Sequence, residues 1–250
     1  MNKILISRDK IVSDSSLVEI KDNVIKLMAS GIYMVEYQDV DTIGYSFVVM
    51  NGIDVILLES SCLNNIVVNN RYVVDNSNLV VNKFYDNVGV SEDINIELYN
   101  YGKINYKFSN ICKNEEFYNI NINHNGVGTV SNISNKSIAM DGSKLDFVIN
   151  SIVKKEYVKS TINQNTRIVT IGNCDCKVSP NMFIDCDDIE ARHGSVIGTF
   201  KDDMVFYLMS RGIDYNNAMK LLVKGYLFSN IDIDSELRDK IFNSIDTYWR

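Results

Sequence analysis

Two thiols and an imidazole stand in one late stretch of the chain: Cys174 and Cys176, a single residue apart, and His193 in "DDIEARHGS". Thiolates and neutral imidazole are ordinary ligands of iron and of iron–sulfur centres, and imidazole also carries protons near neutral pH. Each residue has a plainer reading beside that one. Free cysteine is among the most buried residue types. A histidine at a junction serves equally well as a packed residue or as a hydrogen-bond partner of the backbone. If residues 167–178 form one strand, alternation sends Gly172, Cys174, Cys176 and Val178 to one face and Asn173, Asp175 and Lys177 to the other, so the two thiols point together. Cys186 shares strand parity with Met182 and Ile184 and reads as core, and Cys62 and Cys112 sit in β-type runs and read as interior. His124, the only other histidine, reads as a turn residue without a role. Five cysteines, an odd number, argue against a disulfide framework.

The elements that must position these residues are mostly strands. From Gly31 to about Ile184 the chain is a succession of short runs rich in Val, Ile, Tyr and Phe, such as "IYMVEY", "DVILLE", "INIELY" and "LDFVIN", separated by Asn, Asp, Gly and Ser. The run from Tyr118 to Asn123 alternates strictly, which places Ile120 and Ile122 on one face. Helical crossovers between parallel strands need 10–15-residue helical patterns, and none is present in this region. A sandwich, a barrel and a β-solenoid all remain. The 31 asparagines, 20 of them between Asn51 and Asn135, favour the solenoid, because Asn tolerates left-handed corners and can form side-chain ladders between coils. No fixed repeat period is visible.

After Thr199 the pattern turns helical. "KDDMVFYLMSRG" carries Met204, Val205, Leu208 and Met209 on one stripe with acidic residues at its start and Gly212 at its end. Asp214 caps a second helix with Ala218, Leu221, Leu222 and Gly225 at helical spacing, and Ser235 opens a third with Leu237, Ile241 and Ile245 in a row. The expected organisation is an N-terminal segment at 1–30, a β body at 31–198 and a small α-helical domain at 199–250. "SLVEIKDNVIKLMAS" in the first segment reads as a short amphipathic helix or as two strands.

The net charge of −7 supplies no general attraction to nucleic acid or an anionic membrane. No stretch reaches the ~18–20 apolar residues of a membrane span, and the N-terminal run Ile4-Leu5-Ile6 is shorter than a signal-peptide core. The expectation is a cytoplasmic protein. P-loop, dinucleotide-binding and nucleophile-elbow motifs are all missing, so ATP chemistry would have to come from a partner.

The stretch "FIDCDDIEARHGSVIGTFKDDMVFYLMSRGIDYNNAMKLLVKGYL" resembles the C-terminal signature of the SufB/SufD family, the scaffold subunits of the SUF iron–sulfur cluster assembly system. The matching residues are Asp187, Asp188 and Ile189, then His193, Gly194 and Gly198, then Phe206 to Leu208, Ser210 to Ile213, and Ala218, Leu221 and Leu222; Pro180 takes the place of the family's upstream proline. The resemblance spans about residues 172–227. It implies a right-handed parallel β-helix with a C-terminal helical domain, in a non-enzymatic scaffold. It also implies a homodimer or a heterodimer with a SufB/SufD sibling. A SufC-type ABC ATPase would dock on the helices, with Phe206, Tyr207, Arg211, Leu222 and Tyr226 as candidate anchors. Cys174, Cys176 and His193 would be the candidate ligands of a transient iron–sulfur cluster. Ala191, Arg192 and Gly194 around the histidine leave open whether the chain is SufB-like or SufD-like. A reading from another class is a β-solenoid enzyme acting on carbohydrate through the carboxylates Asp185, Asp187 and Asp188.

Overall fold

In a computed structural model, described for residues 2–7, 10–233 and 235–248, the chain winds into a parallel β-solenoid of about seven turns followed by three helices. The strands are β1 (Asn2–Ser7), β2 (Ile11–Ser13), β3 (Val18–Lys21), β4 (Val24–Leu27), β5 (Gly31–Gln38), β6 (Thr42–Ile43), β7 (Ser46–Val49), β8 (Asp54–Ser61), β9 (Asn64–Val68) and β10 (Arg71–Val74). Then follow β11 (Asn78–Tyr85), β12 (Val88–Leu98), β13 (Lys103–Cys112), β14 (Glu115–His124), β15 (Val130–Ala139), β16 (Lys144–Val153), β17 (Ser160–Thr170), β18 (Asp175–Ile184) and β19 (Ile189–Gly198). They form two facing sheets, one ordered β19-β17-β15-β13-β11-β8-β5-β1-β2 and the other β18-β16-β14-β12-β10-β7-β4-β3. The β-solenoid expected from the sequence is therefore the architecture found.

Successive partners in one file of the first sheet, Asp54, Asn78, Lys103, Val130, Thr161 and Glu190, stand 24, 25, 27, 31 and 29 residues apart. Rungs of unequal length explain why the sequence shows no period. Inward positions alternate along each strand, as at Ile104, Tyr106 and Phe108 or Tyr118, Ile120 and Ile122, and they merge into one continuous core. Burying each large apolar side chain contributes roughly 1.5–3 kcal/mol. Tyr118 and Phe147 stack across adjacent rungs with ring centroids 4.9 Å apart.

Asparagine does more along the sheet than at the corners. On the outer face of the second sheet, Asn181 donates to Asn150 (2.9 Å), Asn150 donates to Asn121 (2.8 Å), and Asn121 donates to Asp93 (3.1 Å). The corners that lead from the second sheet into the first do use left-handed backbone, but only one of these residues is Asn: Asn76, Tyr101, Gly128 and Lys159 have φ of 44°, 58°, 67° and 61°.

Among the described residues of the first 30 the regular elements are strands, and "SLVEIKDNVIKLMAS" takes the two-strand alternative as β3 and β4. β1 continues the first sheet in parallel with β5, and β4 continues the second in parallel with β7. β2 and β3 then fold back antiparallel on β1 and β4. These hairpins cover the first rung, where Ile4, Ile6, Ile25 and Leu27 are fully buried.

The helices are α1 (Asp202–Ser210), α2 (Tyr215–Phe228) and α3 (Ser235–Thr247). Asp214 caps α2 by accepting from the Asn217 amide (3.0 Å), as its position predicts. α2 and α3 lie along the outer face of the first sheet. Val223, Leu227, Leu237, Ile241 and Ile245 pack there on outward residues of four rungs, Phe84, Ile111, Ile138 and Val169. Buried Asn230 donates to the Phe108 carbonyl (2.7 Å) and the Ser134 carbonyl (3.0 Å), and Asp86 binds Lys113, Tyr248 and Ser244 at the far end. The helices therefore brace the side of the solenoid and do not close its end. Among the described residues, no helix is long and apolar enough to cross a membrane.

Candidate functional site

The solenoid's last rung is β18 and β19, and each is the terminal strand of its sheet. In-register parallel pairing keeps side-chain direction from rung to rung. Cys176 thus follows buried Leu145, Val178 follows Phe147, Ala191 follows Ile162, and His193 follows Gln164 on the inward side. Here the inward side has no further rung above it. Cys176, Val178 and Met182 are half-buried, and every residue from Glu190 to Ile197 is exposed.

The two thiols share a side, as alternation predicts, but not on one strand with residues 167–172. β17 ends at Thr170, and the chain turns at Gly172, with φ of 82°, before β18 begins. A Cβ at Gly172 would sit 2.4 Å from Asp141 Oδ1, so the corner admits glycine alone. Cys174 lies on the corner, where its thiol donates to the Met140 and Ala139 carbonyls at 3.2 and 3.3 Å. Burial pushes the Cys176 thiol up to about 11, helped by neighbouring Cys174 and Asp175. It is a thiol and not a standing thiolate at neutral pH, and any ligand role needs an incoming metal to displace its proton.

His193 is at the other side of the mouth. Gln164, directly beneath it, donates from Nε2 to Ser151 Oγ (2.8 Å) and to the Asn181 carbonyl (3.2 Å), which places His193 across from the middle of β18. Cys176 is five residues back along that strand, roughly 16 Å at the usual strand rise. Among the described residues, no three His, Cys, Asp or Glu side chains come together as a metal site. One chain therefore presents the three candidates on one open surface and does not gather them around one ion.

The remaining candidates divide by position. Cys186 is buried, as expected, beside Val153 and Ile162. Cys112 is buried with its thiol on the Asn114 carbonyl (3.4 Å). Cys62 was expected inside and is exposed, because it follows the last strand position of β8 at a corner. His124 is not a turn residue: it ends β14 facing inward, with Nδ1 2.7 Å from Thr129 Oγ1 and Nε2 2.9 Å from Ser131 Oγ. Burial lowers it to about 4. Asp185, Asp187 and Asp188 stand exposed on the corner between β18 and β19.

On the helices, Phe206 is 73% exposed and Tyr207 57%, with the Arg211 guanidinium 5.3 Å from the Tyr207 ring centroid. Leu222 is half-buried and lines a groove of about 350 Å³ between α1 and α2 with Met204, Leu221 and Arg167. Tyr226 is engaged on the body instead. Its hydroxyl donates to the Arg167 carbonyl (2.6 Å) and its ring meets Phe200 edge-on.

Residues not singled out from the sequence also matter. Gln164 reads as an unremarkable strand residue until the register sets it beneath His193. Glu59, Lys83 and Glu92 fall at inward positions among aromatic residues. Lys83 pairs with Glu92 while Tyr72 and Tyr37 donate to Glu59. Charged residues at core parity were the available signal for these three.

Residues 111–226 match the family model described as SUF system FeS cluster assembly, SufBD core domain. This match supports membership of the SufB/SufD family. An iron–sulfur cluster assembly SufBD family protein of Mycobacterium leprae is 33% identical over 90 residues, covering 34% of this chain and 23% of that protein. The iron–sulfur cluster assembly protein SufD of Escherichia coli is 32% identical over 78 residues, 31% of this chain and 17% of its own. SufB of Bacillus subtilis is 28% identical over 106 residues, 42% of this chain and 23% of its own. The chain thus spans less than a quarter of the length of these curated relatives. The SufBD core match takes in Cys174, Cys176, His193, α1 and most of α2, so the open rung and the exposed helix both belong to the SufB/SufD part of the molecule.

Proposed function

We propose that this chain is a SUF scaffold subunit that dimerises through its open rung and presents Cys174, Cys176 and His193 there to an iron–sulfur cluster handled as cargo. The observation that carries the reading is the exposed last rung. An unpaired strand edge next to uncovered inward residues is a template for another chain. Because one chain separates its cysteines from its histidine, the ligand set is completed by a second subunit, either a copy or a SufB/SufD sibling. The histidine of one subunit then faces thiols of the other. The chain performs no catalytic step of its own. Its location is the cytoplasm.

The helices supply the second half of the proposal. α1 carries Phe206 and Tyr207 on an exposed face, with Arg211 and the Leu222 groove beside them, which suits a SufC-type ABC ATPase as partner. ATP binding by that partner would move the subunits and open the cargo site. Tyr226 contributes by holding α2 in place. The carbohydrate reading gains nothing from three aspartates on an exposed corner.

The test is anaerobic reconstitution, with iron and sulfide retained by the wild type compared with Cys174→Ser, Cys176→Ser and His193→Ala. The expected result is a severalfold loss in at least Cys176→Ser and His193→Ala. Equal retention in all four removes the cargo site. Co-purification of an ABC ATPase that survives Phe206→Asp and Tyr207→Asp together removes the docking face.

A further inference from the structure

We propose that Gln164 is the positioning residue of His193: its Oε1 accepts a hydrogen bond from one ring N–H, which fixes the tautomer and aims the other ring nitrogen out of the open end. The inference rests on the reading that His193 is a ligand, and it adds how that ligand is held.

Three observations converge. Gln164 and His193 are paired residues of adjacent parallel strands, both on the inward side, roughly 4.8 Å apart along the sheet. Gln164 is almost completely buried, and its Nε2 is committed to Ser151 Oγ and the Asn181 carbonyl. Both of those partners receive its hydrogens, so the amide cannot be turned over without putting an oxygen against the Asn181 carbonyl. Its Oε1 is buried with no hydrogen-bond partner. An orphaned buried acceptor costs about 1–3 kcal/mol, and such groups in a folded protein call for an explanation. The residue beneath it in the same file is Ile133, which has no side-chain donor. The residue above is His193, whose neutral ring always has one N–H to give. Ligating histidines commonly give their second nitrogen to such an acceptor, and losing it lowers metal affinity about 10–100-fold.

The test uses the full chain labelled with 15N in histidine. Long-range 1H–15N spectra at pH 8 report which ring nitrogen carries the proton, and His124 is identified by its disappearance in His124→Gln. The wild type should show one dominant His193 tautomer. Gln164→Met, which fills the space without a comparable acceptor, should give a mixture. Iron retention should fall about tenfold or more in Gln164→Met. Two comparably populated tautomers in the wild type overturn the inference whether or not any variant folds, as do unchanged populations in Gln164→Met. If the tautomer bias holds but retention is indifferent to His193→Ala, the hydrogen bond stands and the ligand role of His193 falls. If retention needs His193 and the bias is missing, only this inference falls.

Discussion

The two ends of the solenoid have opposite finishes. At the first rung, the β2 and β3 hairpins fold back over the strands and leave Ile4, Ile6, Ile25 and Leu27 without exposure. At the last rung the helices run down the outside of the first sheet, and the inward residues of β18 and β19 are left half-buried or open. A parallel coil has two dangerous edges. This chain spends local sequence on covering one and leaves the other uncovered, which is the arrangement that the proposed association through the last rung requires.

The largest effect that could break this comparison comes from placing a charge at each end. Ile25 is 0% exposed and Ile197 is 46% exposed, and both face inward. Ile25→Asp should cost about 4 kcal/mol or more, as an unpaired charge in a closed core. Ile197→Asp should cost the monomer less than about 1 kcal/mol while abolishing self- or sibling association. Urea unfolding and sedimentation read the two outcomes, and equal costs would mean that the last rung is as closed as the first.

The closed interior should also show in the pH dependence. His124 is held down to about 4 by burial, against 6.5 when free. The unfolded chain takes up that proton first, so the stability is fully present above about pH 6.5 and is lost as pH falls toward 4. The loss is about 3 kcal/mol, and His124→Gln should flatten that limb of the stability curve.

Glu116 has the opposite sign. Burial pushes it up to about 7 from 4.5 despite the donors Tyr118 and Asn110. The folded chain keeps this proton longer, so stability from it is present below about pH 4.5 and is lost as pH rises through 7. Glu116→Gln should therefore stabilise by about 3 kcal/mol at pH 8, and by little at pH 4.

The smallest effect compares the middle and the end of the asparagine ladder. Asn150 accepts from Asn181 and donates to Asn119 and Asn121, whereas Asn181 donates only to Asn150. Asn150→Ala should cost about 1 kcal/mol and Asn181→Ala about half that. A larger cost at Asn181 would point to a ladder that already continues into a neighbouring subunit.

Much of this was legible in the residues. Strict alternation at Tyr118 to Asn123 fixed which face of β14 turns inward, and Asp214 marked the start of α2. Cys176 and Val178 share a side for the same reason. The errors came where a corner intervened. The face argument for the two thiols supposed one strand over residues 167–178, yet Gly172 must turn there against Asp141. Cys62 read as interior because a β-type run says nothing about where its last residue leaves the sheet.

The sequence by itself determined the texture: short strands, an inward and an outward face on each, three helices with Asp214 capping the second, and the SufB/SufD signature around His193. These depend on residues within a few positions of one another, where period and capping chemistry act directly. Only the tertiary structure decided that Gln164 lies under His193, that Cys176 stands across the mouth from it, and that Phe206 stays free while Tyr226 is tied to Arg167. Each of these joins residues about 17 to 60 positions apart, and with rungs between 22 and 31 residues long no local pattern fixes the register. That the helices leave the last rung open is a property of where they pack, which is set by buried area on the side of the first sheet.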